Sequence, residues 1–158
     1  MKIALITDTH FGARNDSDVF NDYFFKFYDN VFFPYLEKHN ITKCIHLGDI
    51  TDRRKFINFK TLHKFRHDFV WRLGRMGIDT HVIIGNHDTY YKNTNEVNSM
   101  HTLFTGFDGE NEPWIYTETT EVEFDDCKML FVPWICDDNR ERTMEMISNT
   151  DAQVLMGH

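Results

Sequence analysis

Four short polar clusters carry the residue types from which a metal centre can be assembled. They are Asp-Thr-His at 8–10, Gly-Asp-Ile-Thr-Asp-Arg at 48–53, Gly-Asn-His-Asp at 85–88 and Gly-His at 157–158. Asp8 and His10 lie two apart in an extended stretch, so their side chains share a side and can grip one cation. Asp49 has two carboxylate oxygens and can bridge two cations, while Asn86 and a histidine can complete the second shell. Carboxylate, amide and imidazole donors without cysteine suit Mn²⁺, Fe²⁺ or Zn²⁺ better than a structural zinc knuckle. Mn²⁺ is the first expectation, and Mg²⁺ is a further candidate. Two such ions clamp a phosphate and activate water toward it, which is the chemistry of phosphoester hydrolysis. His87, next to Asn86, is placed to serve the phosphoryl oxygen or the leaving group, and Asp52 to orient it.

These clusters need a scaffold that delivers them to one place. Each follows a short apolar run: 2–7, 43–48, 81–85 and 153–157 read as buried strands. Between the first two lies a helical pattern over 18–38, with Phe20, Phe24, Phe27, Val31 and Tyr35 as an aromatic stripe expected to pack on the sheet. The next, over 59–76, places Leu62, Phe65, Phe69, Leu73 and Met76 on one face, with Gly77 to end it. This βαβαβ order predicts an α/β fold with a mostly parallel sheet covered by helices, its ligands at the carboxyl ends of the strands. Further along, a short helix is predicted near 95–105 and a hairpin with Asp125 and Asp126 at its turn. A last helix over 138–149 is expected to be capped by Asp137 or Asp138.

Composition sets the outer bounds. The chain has 158 residues, 41% hydrophobic and 27% charged, enough for one core and too apolar for a disordered chain. Three cysteines without CxxC spacing read as reduced packing residues, and the opening apolar run is too short for a signal peptide or membrane span. A soluble, cytoplasmic protein without a membrane partner is expected. The net charge of −8 argues against nucleic acid only superficially, because eight Lys or Arg and one acid fall between Arg53 and Arg75. Of these, Arg53, Arg54 and Lys55 follow the Gly-Asp cluster directly and are candidates for phosphate contacts. His63 and His67, four apart on a helix, read as a solvated face without a third ligand; His46 and His81 read as strand histidines, Asp88 as a turn carboxylate. No Walker loop, GxGxxG or Ser/His/Asp arrangement competes.

In their order and spacing the four clusters resemble the calcineurin-like metallophosphoesterase superfamily across the whole chain. The runs "GNHDTYYKN" and "FVPWICDDN" narrow the resemblance to the nuclease subunit of SbcCD-type DNA repair complexes, and most closely to the recombination endonuclease subunit of large tailed phages. The resemblance implies a four-layer αββα sandwich. It assigns Asp8, His10 and Asp49 to one metal, Asp49, Asn86 and His158 to the other, and His87 to catalysis, with Asp52 in support. It also implies two divalent metals, DNA as substrate, a homodimer and an SMC-like ATPase partner, in host cytoplasm if phage-encoded. The family's GHxH motif has no counterpart in these residues, so 1–158 is expected to be an incomplete domain, inactive alone and with an exposed apolar sheet face. A phosphatase of the same fold and a non-catalytic scaffold are the competing readings.

Overall fold

The computed structural model describes residues 1–104 and 112–158. Strands β1 (Ile3–Ile6), β2 (Lys43–His46), β3 (Asp79–Ile83) and β4 (Trp114–Tyr116) form a parallel sheet in that order. Helix α1 over 18–38 and helix α2 over 59–75 make the crossovers, each with an internal π-helical turn, Tyr28–Phe32 and Phe65–Val70. A second sheet holds β5 (Thr120–Phe124), β6 (Cys127–Val132) and β7 (Val154–Gly157); β5 and β6 are the expected hairpin, and β7 joins β6 in parallel. A short helical turn, Ala13–Asp16, precedes α1, and helices α3 (Met100–Phe104) and α4 (Arg140–Asn149) complete the described elements.

Two cores result, one on each face of the first sheet. Phe65, Phe69 and Leu73 of α2 pack with Tyr28, Phe33 and Leu36 of α1 around Phe11, as the α2 periodicity predicts. On the other face Ile45 and Ile83 meet Phe124, Met129 and Phe131 of the second sheet. This is an α/β sandwich of the predicted class. At its β1 and β7 margin Leu5 and Leu155 are about half exposed, at 53% and 52%.

Two expectations are corrected. The stripe Phe20, Phe24, Phe27, Val31 and Tyr35 does not pack on the sheet: it is 37–55% exposed. The buried line is Asn21, Phe25, Tyr28 and Leu36, the same spacing one residue on and thus about 100° around the helix. Both lines are apolar enough to bury, and the charges choose between them. Asp18, Asp22 and Asp29 of α1 pair with Lys60, Lys64 and Arg72 of α2, which sets the roll of the helix. In α4 the capping position belongs to Asn139, not to Asp137 or Asp138, and its side chain makes no helix-capping bond. Asn139 instead accepts from the Cys136 N–H at 2.9 Å, and Asp138 accepts from the Thr94 hydroxyl. Strand β4 has no counterpart in the sequence reading; its three residues are too short a run to carry a period.

Candidate metal centre

The four clusters converge at the carboxyl edge of the first sheet. Asp8 and His10 leave β1, Asp49 leaves β2, Asn86 and His87 follow β3, and His158 arrives from β7 in the second sheet. The turns are tight. Asp8, His10 and Asp49 all take positive φ, at 52°, 39° and 53°, a conformation costly for residues with a Cβ and found where function holds the backbone. Gly48 and Gly85 make room for this. A Cβ on Gly85 would stand 2.2 Å from the Asp49 N, and one on Gly48 would stand 2.8 Å from the His158 Nδ1.

Asp49 is the hub. Its buried carboxylate turns Oδ1 to His158 Nε2 at 3.3 Å and Oδ2 to His10 Nε2 at 3.7 Å, while the His87 N–H donates to Oδ1 at 2.7 Å. Asp8 Oδ1 stands 3.5 Å from His10 Nε2, and Asn86 Oδ1 stands 3.2 Å from His158 Nε2. Burial works to raise the Asp49 carboxyl, but the His158 hydrogen bond, the His87 N–H and the two imidazoles hold it below the usual carboxylate range. In turn the Asp49 carboxylate raises the His158 imidazole against the opposing effect of burial.

These atoms fit a divalent cation. Donors about 2.0–2.2 Å from one ion stand roughly 3.0–3.5 Å from one another, close to the 3.2–3.7 Å seen here. His158 gives the clearest sign. Its Nδ1 lies 2.8 Å from the Leu47 carbonyl and so must carry the hydrogen there, leaving Nε2 to face two oxygens. In the metal-free protein Nε2 is protonated and donates to these oxygens; a divalent cation would take that proton's place, and the carbonyl-anchored ring is how metal-bound histidines are held. Two groups of three could each hold an ion: His10, Asp49 and His87, and Asp8, Asp49 and His158. Asp49 is common to both.

His87 is held by the backbone. Its Nδ1 lies 2.6 Å from the Asp52 carbonyl oxygen, so Nε2 is presented to the centre, and its ring stands edge-on to His10 at 5.0 Å. The Asp52 carboxylate instead faces His10 Nδ1 at 3.7 Å, so Asp52 orients His87 through its carbonyl rather than its side chain.

Several contributors have a role here that the sequence reading did not give them. Asp88, fully buried, accepts the N–H groups of Gly85, Asp49, Ile50 and Thr51 and ties the second cluster to the third. Burial pushes its carboxyl up to about 6. His46 accepts the Gly48 N–H at Nδ1 and donates from Nε2 to Thr9, whose hydroxyl donates to the Ile50 carbonyl. That relay joins the first cluster to the second. Its signal was within reach, since Thr9 lies inside the first ligand cluster and His46 stands two residues before the second.

The cations expected at the edge are partly spoken for. Arg53 pairs with Asp16 and lies over Phe56; Arg54 donates to the Thr89 hydroxyl and the Tyr91 carbonyl and lies over Trp134. Lys55 has its Nζ over Tyr90 at 4.8 Å. His63 and His67 stack at 4.2 Å and belong to neither metal-capable group.

The sequence matches that of the calcineurin-like phosphoesterases over residues 1–158. The chain belongs to this family. It is 33% identical over 158 residues to Exonuclease subunit 1 of Enterobacteria phage T4, covering all of this chain and 45% of that protein, so it spans less than half the relative's length. Its fold is similar to that of a protein of unknown function, AQ665, from Aquifex aeolicus, with a TM-score of 0.51 and 21% identity over 97% of this chain and 75% of the other. Members of the family use divalent metals, and the edge just described offers the donors. Among the described residues no helix is long and apolar enough to cross a membrane.

Proposed function

We propose that this chain carries the metal centre of a DNA nuclease that hydrolyses phosphodiester bonds, and that residues 1–158 are part of a longer nuclease domain. The observation that supports it best is the Asp49 carboxylate, buried between His10 and His158 with one oxygen toward each. On this reading Asp8, His10 and Asp49 would hold one divalent ion and Asp49, Asn86 and His158 the other, with Mn²⁺ as the first choice. When bound, the pair supplies charge to the phosphate and activation of the attacking water. The residues do the rest. Asp49 keeps both donor sets in register. His87, its Nδ1–H anchored on the Asp52 carbonyl, presents Nε2 to the leaving oxygen and in its protonated form delivers the proton that oxygen needs.

The nucleic-acid substrate and the partner are supported by the T4 relative, whose name makes it one subunit of an exonuclease. On that reading this chain serves DNA repair or recombination as the nuclease subunit of an SbcCD-type complex, pairing with itself and with an SMC-like ATPase in the cytoplasm. Arg54 and Lys55 lie at the edge to meet phosphates; Arg53 shares its charge with Asp16 and contributes less. The test is cleavage of linear and plasmid DNA by the full-length protein with Mn²⁺, beside a chromogenic phosphomonoester. Metal-dependent cutting of DNA supports the reading. Turnover of the monoester with intact DNA makes the protein a phosphatase, and failure to bind Mn²⁺ makes it a scaffold.

A further inference from the structure

The two loops that hold His87 continue into a second feature. After Asp52 the chain runs through Arg53–Ile57, and after His87 it runs through Thr89–Tyr91; the two runs meet where Arg54 donates to Thr89 and Tyr91. Between the first run and the segment 97–103 lies a cleft of about 240 Å³. Its floor is apolar, made by Ile57 and the buried Leu103, and its rim carries Phe56, Tyr90, Val97 and Lys55. Phe56 is 63% exposed and Tyr90 39%, with Tyr91, 50% exposed, against Tyr90 at 4.8 Å. Among the described residues neither Arg54 nor Lys55 has a carboxylate partner, so the rim is positive as well as aromatic.

We infer that this cleft and its aromatic rim bind an unpaired nucleobase of the nucleic acid whose backbone lies in the metal centre. The inference rests on the nucleic-acid substrate proposed above. Arg53 lies over one face of Phe56 and Lys55 over one face of Tyr90, so each ring has its other face for a base, and Arg54 and Lys55 meet the phosphates on either side, a combination suited to single strands and indifferent to sequence. An apolar floor excludes a phosphate and accepts a planar ring. Position completes the argument: the rim grows from the same two loops that orient His87, so a base held there sets where the strand crosses the metal edge.

The test compares two ligands, an oligodeoxythymidine of roughly a dozen nucleotides and an abasic strand of the same length, bound by the full-length protein without metal at one salt concentration. The expected result is about tenfold tighter binding of the base-bearing strand by the wild type, a ratio kept by Tyr90→Phe and driven toward one by Tyr90→Ala and by Phe56→Ala. Both side chains are exposed and outside the two cores, so these variants keep the fold, which thermal melting checks. Equal affinity of the wild type for the two strands overturns the inference, as does a ratio that survives both alanine changes; the rim would then face a protein partner. Cleavage of the thymidine strand after adding Mn²⁺ separates the two ideas. A wild type that prefers bases but never cuts overturns the nuclease reading alone, and one that cuts without preferring bases overturns this inference alone.

Discussion

Asp49 and Asp88 are both buried, both stand just past parallel strands, and they differ in what occupies their oxygens. Asp88 is filled: Oδ1 accepts from Ile50 and Thr51, Oδ2 from Asp49 and Gly85. Asp49 is open. One oxygen takes the His87 N–H, and the other has only an imidazole at 3.7 Å. Burial of a carboxylate is thus a poor sign of function on its own. A carboxylate whose lone pairs are spent on backbone N–H groups is a clamp, and one whose lone pairs still face imidazoles is a ligand in waiting.

The comparison can be broken most sharply at Asp49. Asp49→Asn keeps the size of the side chain and removes the charge shared by both donor sets, so phosphodiester cleavage should fall on the order of a thousandfold, about 4 kcal/mol, with loss of bound metal. Initial rates and metal content measure this. The metal-free protein should melt close to the wild type, and a collapse of its melting transition would make Asp49 a clamp after all. Asp88→Ala should do the reverse. It strands four buried N–H groups and should cost about 3 kcal/mol of stability in urea or thermal unfolding, with activity lost only because the loops move. Wild-type stability in Asp88→Ala would remove the distinction.

His46 offers a third measure of the loops, through pH. Burial pushes its ring down to about 3, whereas in the unfolded chain it titrates near 6.5. The unfolded chain therefore takes up the proton first. The native state has its full advantage above about 6.5 and loses it as pH falls toward about 3, by about 2 kcal/mol at pH 5. His46→Gln removes that titration, so its stability should fall less steeply between pH 6.5 and 5 than that of the wild type. Equal slopes would show that the relay from Gly48 through Thr9 does not keep the ring neutral.

Most of the sheet, and the gathering of the four polar clusters at one edge, were legible in the sequence, because buried strands are short apolar runs and their ends are marked by polar clusters. The second-layer contributors were not. Asp88 reads like any turn carboxylate until the N–H groups of Asp49, Ile50 and Thr51 are brought to it from 37 to 39 residues away, and no period announces such contacts. The roll of α1 failed for a related reason. Two lines of equal spacing compete there, and the tie is broken by Asp18, Asp22 and Asp29 finding cations on another helix. Phe25→Ala, on the buried line, should cost about 3 kcal/mol, and Phe20→Ser, on the exposed one, less than about 0.5 in the same unfolding assay.

Asp52 supplies the smallest effect and the finest cut. It is the third carboxylate at this edge, 32% exposed at its side chain and 3.7 Å from His10, yet the group that holds His87 is its carbonyl. A carbonyl survives any change of side chain. Asp52→Asn should therefore leave the His87 ring where it is and lower the cleavage rate by less than about fivefold, under 1 kcal/mol. The outcome separates two ways of holding an imidazole. Were the carboxylate the support, removing its charge would slow cleavage by about a hundredfold or more; with the backbone as support, the rate stays within about fivefold.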